Sequence, residues 1–385
     1  METKSICAVK GVTASGVKEG KFGLALIRAT GTAAGVFTAN LVKAAPVELM
    51  RKQIRRGMMD AVIVNSGCAN AYTGKKGYED AVAMIECAGS ALGLDARAVG
   101  VASTGVIGRF LDLPLIRRQC ASIASDLTSS PAAEDFVAQA IMTTDTFPKH
   151  AMVKRETFTV GGITKGSGMI APNMGTMLAF IYTDAEIGAK PLAAALKQAT
   201  RRTFNRVIVD GDTSTNDIAL VTATGESGPV NPREFSEALE ECCRSLAKQI
   251  ARDGEGATKL LEVTVTGAPG EDAAAKVART VIESPLVKTA VYGEDPNWGR
   301  VVAAAGRAGV RFDPDAVSLW ISDGRERFPL VRSGEIIADL KRAKAAMHGK
   351  NVIFELDLAA GTGKATAWGC DLTERYVEIN GRYTT

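Results

Sequence analysis

Histidine is almost missing from this sequence. Two occur in 385 residues, His150 and His348, so any mechanism built on a histidine base has few candidates. Aromatic residues make up only 5%, too sparse for a surface that stacks nucleic-acid bases. Charge of one sign is also missing: 46 basic residues face 43 acidic ones, a net +3, so no strong field advertises a nucleic-acid partner. The seven cysteines form no C-x-x-C pair, and their scattered, odd-numbered placement argues against a disulfide framework or a structural zinc. The opening METKSICAVKG lacks the apolar run of a signal peptide, and no stretch of about 18 apolar residues appears. The expectation is a cytoplasmic protein with no membrane partner. With 46% hydrophobic and 23% charged residues, the chain has an ordinary globular composition and length enough for two or three domains.

What is present is glycine, 39 in all, spread among apolar runs that alternate with helical spacing. That mixture predicts an α/β or α+β chain with many tight turns. Ala61–Val64 reads as a buried strand, a helix covers about 78–92 before Gly93, and 112–141 reads as two helices broken near Pro131. A strand is predicted over 151–160. Residues 177–182 (MLAFIY) are apolar at nearly every position, the mark of a strand buried on both faces. Asn231-Pro232 gives an N-cap and first-turn proline for a helix running to Gly254. A soft boundary near residue 270 divides a domain over 1–270 from a C-terminal domain over 271–385.

Three motifs invite a chemical reading. Gly361-Thr362-Gly363-Lys364 resembles the end of a phosphate loop, but Ala365 and Leu358 stand where the motif needs a hydroxyl and a glycine, so a turn is preferred. Asp210-Gly211-Asp212-Thr213 follows a short apolar strand. Thr215 and Val221 exclude a calcium loop, and a nucleophilic-aspartate phosphotransferase yields to an Asp/Thr-rich turn. Residues 165–185, KGSGMIAPNMGTMLAFIYTDA, run a glycine-rich approach into Thr176 at the head of the buried strand. A threonine hydroxyl needs a neighbouring base to act as a nucleophile. If the chain is cut before Thr176, its own α-amine, with a pKa of about 7.7–8.0, supplies one without histidine. Gly175 suits such a cut, because glycine tolerates unusual backbone conformations. The competing reading is a glycine turn feeding a core strand.

That segment closely resembles the signature of the ornithine acetyltransferase family, also called glutamate N-acetyltransferases or arginine biosynthesis bifunctional proteins. Further blocks match in family order: 64–67 with Asn70-Ala71, 103–108, 143–146, 209–217, 253–259 and 367–373. Together they cover nearly the whole chain. Gly175 replaces the family's usual alanine, and Cys68 stands where an asparagine is usual.

The resemblance implies a self-cleaving sheet-and-helix sandwich with an N-terminal threonine nucleophile, followed by a smaller α/β domain. It implies chains 1–175 and 176–385 that stay together in an α2β2 assembly. Thr176 would take the acetyl group of N-acetylornithine as an ester and pass it to glutamate, with no metal or organic cofactor. Thr104 and Gly105 match the oxyanion-hole pair. Substrate-binding positions match at Lys165, Glu255, Asn380 and Thr385, with Thr143 preferred to Thr144 in the threonine block. Acetyl-CoA as a second acetyl donor is left open, and no coenzyme A signature stands out. The rival enzyme reading is a self-cleaving aminopeptidase or amidohydrolase. A non-catalytic amino-acid-binding protein is the rival from another class.

Overall fold

A computed structural model describes residues 5–171 and 177–382, and its elements alternate as the glycine-punctuated pattern predicts. The first half carries β1 (Thr13–Glu19), β2 (Phe22–Phe37), α1 (Ala45–Gln53), β3 (Met58–Cys68), α2 (Gly74–Leu92), β4 (Val99–Val106), α3 (Leu113–Ala124) and α4 (Pro131–Ile141). Then follow β5 (Lys149–Lys154), β6 (Thr159–Lys165), β7 (Leu178–Thr183), α5 (Ala189–Arg202), β8 (Val207–Ile208), β9 (Ile218–Ala223), α6 (Pro232–Arg252) and β10 (Leu260–Ala268). The C-terminal part adds α7 (Glu271–Glu283), α8 (Pro285–Tyr292), α9 (Trp298–Gly306), β11 (Ser318–Ser322), β12 (Arg327–Arg332) and β13 (Glu335–Ile336). It ends with α10 (Leu340–Ala345), β14 (Asn351–Asp357), β15 (Gly363–Cys370) and α11 (Glu374–Arg382).

The break near Pro131 and the Asn231 cap are in place, and Ser130 adds a cap the sequence reading did not name. Helix α4 starts on Pro131, with Ser130 accepting the Ala133 N–H, and α6 starts on Pro232, with Asn231 accepting from Arg233 and Glu234. One expectation is corrected. The strand predicted over 151–160 is two strands, β5 and β6, folded back through a turn in which the Arg155 N–H donates to the Phe158 carbonyl. Hydrophobic alternation runs through both arms, so it could not mark the reversal.

The described strands form two sheets. In the first, of eight strands, the order is β4-β3-β2-β9-β7-β6-β5, with β1 paired to the long β2. Strand β7 lies inside it, between β9 and β6, and is buried at every position. Its Ala179 and Ile181 pack with Leu192 and Leu196 of α5 and with Phe235, Leu239 and Leu246 of α6. Its Leu178, Phe180 and Tyr182 pack on the other face with Val137 and Ile141 of α4 and Met50 of α1. Each such side chain contributes roughly 1.5–3 kcal/mol by leaving water. The two-sided apolar run of 177–182 thus reflects helices on both faces. The second sheet, ordered β13-β12-β11-β14-β10-β15-β8, packs against α7, α8 and α9. It draws on chain before residue 270, since β8 and β10 belong to it. Trp368 and Cys370 of β15 join the core beneath α6, so the halves share buried surface.

Candidate active site

Strands β3 and β4 run parallel with Ser66 opposite Thr104 and Gly67 opposite Gly105, which brings both signature blocks to one end of the sheet. Gly105 has φ +132°, and a Cβ there would lie 2.3 Å from the Gly67 carbonyl carbon. Only glycine meets both demands. Asn216, just before β9, ties the two strands to a third, donating from Nδ2 to the Ala69 carbonyl at 2.7 Å and the Ser103 carbonyl at 2.8 Å. Ser103 in turn donates to Asn65 Oδ1.

Lys165, the last residue of β6, reaches into the same end. Its Nζ donates to Thr143 Oγ1 at 2.8 Å and to Thr104 Oγ1 at 3.3 Å, and lies 3.9 Å from Asp145 Oδ2. The side chain is buried. Burial pulls the Lys165 pKa down, and Asp145 opposes that pull. Glu255 follows α6 by three residues, with its N–H donating to the Ser167 carbonyl at 2.9 Å. Asn380 of α11 donates to Glu255 Oε2 at 2.8 Å. Thr144 is hydrogen-bonded to the Ser167 hydroxyl at 2.7 Å.

These groups line one cavity of about 170 Å³. Thr104, Gly105, Thr143, Thr144, Lys165, Glu255 and Asn380 all face it. Seven positions singled out in the sequence, spread over 277 residues from 104 to 380, therefore meet at one place. Thr143 is the threonine that touches Lys165, while Thr144 is engaged by Ser167. Gly175, Thr176 and Thr385 lie outside the described residues. The neighbour of Thr176 is described: the Met177 N–H donates to Asp217 Oδ1 at 2.9 Å, one residue beyond the pocket wall at Asn216. Cys68, the departure from the family block, is buried and donates to the Arg109 carbonyl at 3.2 Å.

The residues that support this wall were not singled out as site residues. Lys149, fully buried, pairs with Asp145 at 2.6 Å and Asp253 at 2.5 Å. Asp145 also accepts the Gly166 N–H at 2.6 Å and the Thr143 N–H at 3.1 Å, so it holds the chain on both sides of the Lys165–Thr143 contact. Burial alone would push its carboxyl up, but Lys165 and Lys149 outweigh that and hold it at about 2. Asp253 accepts the Thr146 N–H at 3.0 Å and stands two residues before Glu255. Only the blocks at 143–146 and 253–259 hinted at this triad, because nothing local announces a partner 104 residues away. Ser214, Thr215 and Met169 also line the cavity. Among the described residues no group of three or more His, Cys, Asp or Glu side chains is placed to hold a metal ion, and no helix is long and apolar enough to cross a membrane.

The chain matches the ArgJ family over residues 9–385. A glutamate N-acetyltransferase of Methanosarcina mazei is 52% identical over 389 residues, covering 99% of this chain and 98% of that protein. The arginine biosynthesis bifunctional protein ArgJ of Symbiobacterium thermophilum is 50% identical over 382 residues, covering 95% and 93%. Among solved structures, the ArgJ protein of Bacillus halodurans aligns with a TM-score of 0.50 at 43% identity, over 53% of this chain and 98% of that one. Two sheets, their helices and a small polar pocket thus make up an acyltransferase. The chain belongs to the ArgJ family.

Proposed function

We propose that this protein transfers the acetyl group of N-acetylornithine to glutamate through an ester on Thr176, after cutting its own chain between Gly175 and Thr176. The observation that carries this reading is the gathering of seven family-matched positions around one 170 Å³ cavity, large enough for an amino-acid-sized substrate. In the cut, Thr176 Oγ attacks the Gly175 carbonyl, the peptide C–N bond breaks, and the nitrogen leaves as the new α-amine. Water then hydrolyses the resulting ester. The free amine next takes the Thr176 hydroxyl proton as that oxygen attacks the acetyl carbonyl. Ornithine departs with its amine protonated, and glutamate's amine repeats the attack on the acetyl ester.

Thr104 and the Gly105 N–H are suited to the oxyanion of each tetrahedral intermediate, where one such donor is worth about 2.7–4 kcal/mol. The Lys165 ammonium suits a substrate carboxylate, and the Glu255 carboxylate suits a substrate ammonium. The Bacillus halodurans chain, 98% of it covered, spans only 53% of this one, as one fragment of a cut chain would.

The test is direct. Sharing 40.4 kDa by residue count, the purified protein runs as fragments of about 18 and 22 kDa, the larger beginning Thr-Met-Leu-Ala. Acetyl transfer to glutamate from N-acetylornithine and from acetyl-CoA, assayed side by side, reads whether one donor or two are used. A fully active single chain would overturn the N-terminal-amine mechanism. Acetyl loss to water with none to glutamate would favour the amidohydrolase.

A further inference from the structure

The Glu255 carboxylate stands against bare backbone. A Cβ built on Gly168 would come 2.3 Å from Glu255 Cδ and 2.4 Å from each of its carboxylate oxygens, well inside van der Waals contact. Gly168 does not take the left-handed conformation, so its backbone would admit alanine. What the missing side chain provides there is space. The same carboxylate accepts from Asn380 Nδ2 at 2.8 Å, and the Glu255 N–H donates to the carbonyl of Ser167, the residue before Gly168, at 2.9 Å. Gly168, Glu255 and Asn380 all line the cavity, and among its described lining residues Glu255 is the carboxylate and Lys165 the ammonium.

In N-acetylornithine the α-nitrogen is an amide, so the side-chain ammonium is the donor's one cation. Glutamate's amine must be neutral to attack the ester. A carboxylate fixed in the cavity therefore fits the side chain of the donor. We propose that Gly168 is a specificity-determining residue: by carrying no side chain, it lets the Glu255 carboxylate lie where it selects a donor with a cationic side chain. This rests on the transfer reaction above and on Glu255 facing a substrate ammonium. An alanine at 168 must displace Glu255. What yields is the end of a flexible side chain rather than backbone, so the fold is kept and the carboxylate's place is lost. A charge-assisted hydrogen bond tolerates little displacement, because it weakens steeply outside a narrow range of distance and angle.

The experiment compares two donors on purified, cleaved enzyme: N-acetylornithine and N-acetylnorvaline, which is the same chain without the ammonium. The unaltered enzyme is expected to favour N-acetylornithine in kcat/KM. Gly168→Ala is expected to cut that preference about tenfold through a higher KM for N-acetylornithine, with kcat/KM for N-acetylnorvaline unchanged. If N-acetylnorvaline turns over too slowly to follow, its inhibition constant against N-acetylornithine reads the same preference. In a Glu255→Ala chain, where nothing is left to displace, Gly168→Ala is expected to change the preference no further. Thermal melting checks each fold. Should Gly168→Ala fail to fold or to cleave, Asn380→Ala, which frees the same carboxylate from its hydrogen bond, is read by the same ratio, with a loss expected. An unchanged ratio in the variant so read, or a Gly168→Ala effect that persists without Glu255, overturns this role while the transfer reaction stands. A Glu255→Ala chain that keeps the full preference overturns the ammonium reading of Glu255 and this role with it. An unaltered enzyme that transfers nothing from N-acetylornithine overturns the reaction itself.

Discussion

The two sheets are built to different rules. Around the first, charge is buried: Lys149 lies between Asp145 and Asp253, and Lys165 sits against two threonines. Around the second, the core cluster is Val, Leu, Ile and Ala with single large members such as Phe354 and Met347. Some of its charges are buried too, as Lys288 of α8 against the Cys370 carbonyl of β15 and Asp371 against the Thr258 and Lys259 N–H groups, while others pair at the surface, as Arg327 does with Glu355 at 2.8 Å. Taking an ion out of water costs several kcal/mol, and an apolar replacement of equal volume is often as stable. The difference is one of place: Lys165 and the Lys149 triad stand at the pocket end of the first sheet, whereas the buried charges of the second lie around β15 and α8, and no residue of β11, β12 or β14 lines the pocket.

If that division holds, the largest effects come from the first half. Thr176→Ala is expected to give an uncut chain with no acetyl transfer, because the proposed nucleophile is gone. Thr176→Ser keeps both the oxygen and the amine and should retain part of each activity. Gel analysis and a transfer assay read both, and cleavage of the alanine variant at the same bond would break the assignment.

Next is the buried triad. Lys149→Met leaves Asp145 and Asp253 facing each other without their cation, and removing one partner of a buried ion pair typically costs about 3–5 kcal/mol. Denaturant unfolding should show that loss. A change below about 1 kcal/mol would mean that the triad is not the brace its hydrogen bonds suggest. A smaller effect on rate is expected from Thr104→Ala. Its proposed role is to stabilise charge that appears only in the transition state, so kcat should fall about 10²–10³-fold with little change in KM. An unchanged kcat would remove Thr104 from the oxyanion hole.

The sequence showed this division unevenly. The buried strand β7, the start of α4 near Pro131, the cap of α6 and the pocket-lining positions were legible because each has a local cause: an uninterrupted apolar run, a proline, Asn231 before a proline, or a signature block. Strand β2 was not. Its ATGTAAG stretch looks like a turn, yet Gly31 is there because a Cβ would come 2.1 Å from the Ala223 carbonyl oxygen of β9. The triad and the Met177–Asp217 contact were hidden for the same reason: Lys149 meets Asp253, and Met177 meets Asp217, only once the sheet has formed. Long-range pairings leave no spacing to read.

A binding residue should fall between the extremes. Glu255→Gln keeps the shape and the Asn380 contact but removes the charge proposed to bind a substrate ammonium. Hydrogen bonds to charged groups contribute about 1.5–3 kcal/mol, so KM for one amino-acid substrate should rise roughly tenfold with a smaller loss of kcat. Two unchanged KM values would place Glu255 outside the binding set.

The smallest effect sharpens the comparison from the other side. Arg327 of β12 pairs with Glu355 of β14, and its guanidinium stands 4.0 Å from the Trp320 ring centre. Both contacts are largely in water. An exposed ion pair is worth about 0–1 kcal/mol and an exposed cation–π contact about 0.5–1 kcal/mol. Arg327→Ala should therefore lower stability by no more than about 2 kcal/mol, most of it through the ring contact. Arg327→Lys keeps the charge but not the planar stacking and should lie between the two. Cleavage, kcat and KM should not move in either variant, because no residue of β11, β12 or β14 lines the pocket. If Arg327→Ala slows acetyl transfer while the fold melts normally, the second sheet takes part in the site, and the division between a sheet that bears the pocket and one that stands apart from it is wrong.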